Sequence, residues 1–125
     1  MSGWFRKSAA PRHGPDFRAV DAAGAQELTR NGHLQKMYLL PLEFGGQDTP
    51  ANWVMVPGWV VEKKKETDNN IIRPLVNAGT VSTYRATPQY QGESVVPSAI
   101  NIEASNPGSF TVTIAIWGNS LEQNR

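Results

Sequence analysis

The chain has 125 residues, with 12 Lys and Arg against 11 Asp and Glu, and no cysteine. That length suits one domain, the 39% hydrophobic content is too high for a disordered chain, and a formal charge of +1 excludes a histone-like polycation. Disulfides and cysteine-ligated zinc or iron–sulfur centres are excluded, and no apolar run approaches the roughly 18 residues needed to span a bilayer.

Residues 1–18 carry Arg6, Lys7, Arg12 and Arg18 against Asp16 alone, punctuated by Gly3, Pro11, Gly14 and Pro15. They read as an extended basic arm, tethering Trp4 and Phe5 to a single domain at 19–125. The arm lacks the apolar core of a secretory signal. The expectation is therefore a cytoplasmic protein, or one delivered into a target cell, with no membrane span. Residues 19–30 are alanine-rich and fit a short helix or a strand and turn, with Gly24 weighing against the helix. In 31–57, apolar runs at 37–42 and 53–56 flank a Gly45-Gly46 turn and a polar loop. Two short strands joined by that loop fit best.

Residues 59–78 read as a helix. Glu62, Lys63, Lys64, Lys65 and Glu66 give it a charged outer face, and Val61, Ile72, Leu75 and Val76 an inner stripe. Pro74 should kink or restart it, and Gly79 suits the left-handed residue beyond its end. The last third is β in character: 80–90, 95–104 after a Gln91-Gly92 turn, and 110–117 after Asn106-Pro107-Gly108. Phe110, Val112, Ile114 and Ile116 alternate with Thr111, Thr113 and Ala115. That period of two predicts an antiparallel meander with one buried face. The fold class is α+β, a hairpin and helix packed beside this meander.

The segment Gly32-His33-Leu34, the Gly45-Gly46 turn and Asn52-Trp53-Val54 resemble the His-Me finger, or ββα-metal, nucleases. The DNA/RNA non-specific endonucleases of bacterial toxins have Gly-His-Leu, a Gly pair and Asn-Leu-Val-Pro in that order. Gly79, Val81, Tyr84, Pro88, Tyr90 and Pro97 extend the likeness, which spans about 30–117. The resemblance implies that His33 acts as general base, with Asn52 on one divalent metal such as Mg²⁺. Arg30, standing near the place of the family's arginine, would grip the phosphate. Glu62 and Glu66 are further candidate metal ligands. Lys63, Lys64 and Lys65, with Arg6 and Lys7, would contact nucleic acid. The chemistry is coherent: a neutral imidazole activates water near neutral pH, and a hard cation with oxygen ligands neutralises the developing charge.

A second frame is also open. Pro41-Leu42, Gly45-Gly46 and Asn52 are similar to the HNH branch of the same superfamily. In that frame Met37-Tyr38 stand where the paired ligand and base belong, and Val61 where the third residue belongs. Two functions follow. The first is a small toxin domain that cleaves DNA or RNA. The alternative is a non-catalytic binding protein on a degenerate nuclease scaffold, acting as a structural, carrier or immunity-like partner.

Overall fold

The computed structural model describes residues 17–118. Its architecture is α+β, as expected. The arm residues Trp4, Phe5, Arg6, Lys7 and Arg12 lie outside the described residues. Phe17, grouped with the arm by composition, is buried in the core.

Helix α1 (Ala22–Arg30) forms despite Gly24 because Asp21 caps it. The Asp21 carboxylate accepts the Gly24 N–H at 2.8 Å, satisfying a first-turn donor that has no partner within the helix. Gly32 then takes a φ of 83° and turns the chain out. Strand β1 (Gln35–Tyr38) pairs antiparallel with β2 (Trp53–Val56), from Gln35 opposite Val56 to Tyr38 opposite Trp53. The first strand sits earlier than the apolar run at 37–42, because residues 42–44 coil into a short 3₁₀ turn after Pro41. Met37, Val54 and Val56 face the core.

Helix α2 (Gly58–Thr67) passes through a π-helical turn (Asp68–Ile72) into α3 (Arg73–Asn77). The predicted irregularity at Pro74 is thus met one turn earlier. Pro74 has no N–H and its ring crowds the carbonyl four residues back, which lies inside the π-helical turn. The inner stripe differs from the expected one. Val60, Lys64, Thr67, Asp68 and Ile72 are buried, Val61 and Leu75 are half-buried, and Val76 is exposed. The extra residue of the π turn shifts the register, and Val76 rotates to solvent. Gly79 closes the helix with a φ of 74°.

Strands β3 (Thr83–Gln89), β4 (Ala99–Ser105) and β5 (Ser109–Ala115) form the antiparallel meander in the order β3-β4-β5. Ile100 faces Ile114 and Ile102 faces Val112 across the inner surface. Strand β4 starts later than residue 95, and Val96 and Pro97 are buried in the loop before it. Val56 and Val60 from the hairpin–helix unit share one core with Ile100, Ile114 and Trp117 from the meander and its C-terminal end. No helix among the described residues is long and apolar enough to cross a membrane.

Candidate functional site

His33 and Asn52 do not meet. His33 follows α1 and is exposed, its N–H donating to Leu28 O at 2.8 Å. Asn52 lies at the other end of the hairpin, where its carbonyl accepts the Leu39 N–H at 2.8 Å. The chain from His33 to Leu39 is largely extended. At about 3.3 Å per residue this puts the two side chains about 15–20 Å apart. At that separation the hairpin does not bring the two side chains together. Arg30 ends α1 and pairs with Glu27 at 2.7 Å, both exposed.

Asn52 is occupied with the loop. Its Oδ1 accepts the Leu40 N–H at 2.9 Å, and its Nδ2 donates to Leu40 O at 2.9 Å and Gln47 O at 2.8 Å. Every polar atom of the amide is turned into the connection between β1 and β2. The residue is a clip for residues 39–52, its amide committed to the loop where a metal ligand was expected. Gly46 belongs to the same clip, since a Cβ there would collide with the Leu40 carbonyl oxygen.

A cavity of about 280 Å³ lies in the crook between β1 and α2, lined by Lys36, Met37, Tyr38, Val61, Lys65 and their neighbours. Val61, Lys64 and Lys65 of α2, with Asp68 directly after it, share the face toward it. Glu62 and Glu66 are exposed about 100–140° around the helix, so they do not serve a metal in this crook. The cleft carboxylates are Glu43 and Asp68 instead. Lys63 projects from the far side of α2, whereas Lys65 reaches the cleft.

Lys64 departs furthest from its expected place on the charged face, being only 3% exposed. Its Nζ donates to Asp68 Oδ2 at 2.7 Å and lies 5.3 Å from the centre of the Tyr84 ring. Tyr84 in turn donates its hydroxyl to Asp68 Oδ1 at 2.7 Å. Both carboxylate oxygens of Asp68 are thereby engaged. Burial pushes the Lys64 ammonium below its ordinary value, and the Asp68 carboxylate opposes that shift. Burial, then the bond to Asp68, raises the Tyr84 hydroxyl far above the usual phenol range. Lys64 is therefore fixed inside the protein and cannot touch a nucleic acid.

The outer part of the crook is held by paired charges. Lys36 lies 3.2 Å from Asp48 and 5.3 Å from both the Tyr38 and Trp53 ring centres. The bond to Asp48 raises Lys36 above the ordinary lysine value, and Lys36, then Tyr38, holds Asp48 below the usual carboxylate range. Arg73 reaches Glu43 at 3.4 Å and stacks 5.3 Å from the Phe44 ring. Among the described residues no three His, Cys, Asp or Glu side chains converge as a metal site would require. Reading the sequence missed Asp68, and singled out Tyr84 only as part of the family likeness, not as a partner of Lys64. The Lys64-to-Asp68 spacing of i,i+4 was the available signal for the first.

Comparison of the chain with protein-family models, curated proteins and solved structures finds no match.

Proposed function

We propose that the chain is a non-catalytic domain that binds a protein partner, built on a hairpin-and-helix scaffold similar to that of the ββα-metal nucleases. One observation carries this reading. In the HNH-like frame the base and ligand positions fall to Met37, Tyr38 and Val61, and these three side chains line the crook. A thioether is a poor ligand for a hard cation. A neutral phenol, with a reference pKa of about 10, does not replace imidazole as a base at pH 7. Charge favours protein over nucleic acid as the partner. Residues 17–118 contain slightly more acids than bases, and the basic excess lies in 1–16. A nucleic-acid interface draws most of its affinity from a concentrated positive surface. The role that follows is that of an immunity-like, carrier or structural partner.

The test is incubation of the full chain with plasmid DNA and with RNA, in Mg²⁺ or Mn²⁺, with and without EDTA. No cleavage above the buffer control is expected. Divalent-dependent cleavage that a folded His33→Ala variant loses would overturn the proposal and return His33 to the role of base.

A further inference from the structure

Among the described residues, the two-stranded sheet ends on β2 with no third strand beside it. The bond from Leu39 N–H to Asn52 O sets the phase of its ladder. Met37 opposite Val54 and Gln35 opposite Val56 are then the hydrogen-bonded pairs, and the pairs at Trp53 and Met55 are not. The N–H and C=O groups of Trp53 and Met55 therefore point away from β1. Beside them runs a groove of about 480 Å³ that touches Trp53, Val54 and Met55 in succession. Consecutive strand residues face opposite sides of a sheet, so a groove that meets all three follows the edge of the strand. One wall is α1, ending at Arg30, and the other holds Tyr90 and Val95, which are 51% and 42% exposed.

We infer that this groove captures an extended, apolar and acidic segment of a protein partner as a third strand on β2. This rests on the reading of the chain as a protein-binding domain and names the surface and the class of ligand. Open backbone donors and acceptors at two-residue spacing are matched by another polypeptide backbone, not by a phosphate chain or a lipid. The apolar walls select apolar side chains. Among the described residues of the lining Arg30 alone is charged, so the complementary segment carries an acid. Its contact with Glu27 is a surface pair between two exposed side chains, of the kind that exchanges at little cost. The chain's own residues 1–16, with Arg6, Lys7 and Arg12, have the wrong sign. The edge of β1 is a poorer dock, because the exposed charges of Lys65 and Glu43 stand in the cleft beside it, and charges guard strand edges.

The probe is an acetylated, amidated octapeptide, Thr-Val-Glu-Val-Thr-Val-Thr-Ser, titrated into the ¹⁵N-labelled full chain. Saturable shifts and slower hydrogen exchange at the Trp53 and Met55 amides are expected. The same peptide N-methylated at alternate residues should bind at least about tenfold more weakly, since its backbone donors are gone. Replacing its glutamate by lysine should weaken binding about threefold or more, and an Arg30→Glu chain should reverse that preference. No saturable shift at Trp53 and Met55, or equal binding of the N-methylated peptide, overturns the inference. Shifts confined to Lys36 and Tyr38 overturn the groove but leave a protein-binding domain. Metal-dependent cleavage together with intact peptide binding overturns the non-catalytic reading and leaves the groove standing.

Discussion

Asn52 and Leu40 are joined by two hydrogen bonds, each of 2.9 Å, in which a side-chain amide imitates the peptide group of a facing strand. The pair extends the β1–β2 ladder one step past its backbone pairing and fixes where the loop at 39–52 closes. Asn52→Ala leaves Leu40 and Gln47 with unpaired groups and should cost about 1–3 kcal/mol in urea denaturation. Asn52→Asp keeps the acceptor but sets a carboxylate oxygen against the Leu40 and Gln47 carbonyls, so it should be no more stable than Asn52→Ala. Full stability in both variants would refute the clip.

Lys64 and Asp68 form a buried pair, and breaking one side strands a charge in the core. Lys64→Met should destabilise by about 3–5 kcal/mol. The double variant Lys64→Met with Asp68→Asn removes both charges and keeps an acceptor for the Tyr84 hydroxyl. It should recover a large share of that loss, as measured by chemical denaturation of all three chains. A double variant no more stable than Lys64→Met would show that the pair is not the reason.

Tyr84 links stability to alkaline pH. Its folded value lies above its unfolded one, so the stability it contributes is fully present below about pH 10. That contribution is lost as the pH rises above that point, because only the unfolded chain releases the proton. Lys64 acts in the opposite sense, its folded value lying below the unfolded one, so stability from this group increases toward the ordinary lysine range. The diagnostic is the difference between the parent chain and Tyr84→Phe. The variant should be weaker by about 1–2 kcal/mol near pH 8, and the gap should narrow above pH 10. A gap that stays constant up to pH 11 would refute the linkage.

Ile114 faces Ile100 on the inner surface of the meander and is buried. Ile114→Ala should cost about 2–5 kcal/mol. Thr113→Ala, on the outer face beside Asn101, should change stability by less than about 0.5 kcal/mol. Similar losses at the two positions would contradict the assigned faces.

The meander was legible because its signals are local. Period-two alternation at 110–116 and the turn residues at 106–108 act within a few positions. The capping of α1 by Asp21 was equally local and outweighed Gly24. Lys64 was not legible. Three lysines in a row read as a solvated face, and what buries the middle one is Tyr84, contributed by a strand twenty positions on. Asn52 was recognisable as the polar residue closing a hairpin. Whether such an amide holds an ion or a loop depends on the path of residues 39–52, which no short-range pattern specifies. The placing of His33 was illegible for the same reason: a three-residue likeness carries no information about the distance between its partners.

Trp117 is fully buried, with its indole N–H on Val96 O at 3.1 Å, while Trp59 is half exposed and Trp53 borders the groove. The chain thus carries optical reporters in separate environments. With Trp4→Phe and Trp59→Phe in place, only Trp53 and Trp117 emit. Occupancy of the β2 edge would then register as a change at Trp53 while the blue-shifted emission of Trp117 stays constant. Global unfolding would shift both to the red, separating a bound state from a damaged one in a single unlabelled spectrum.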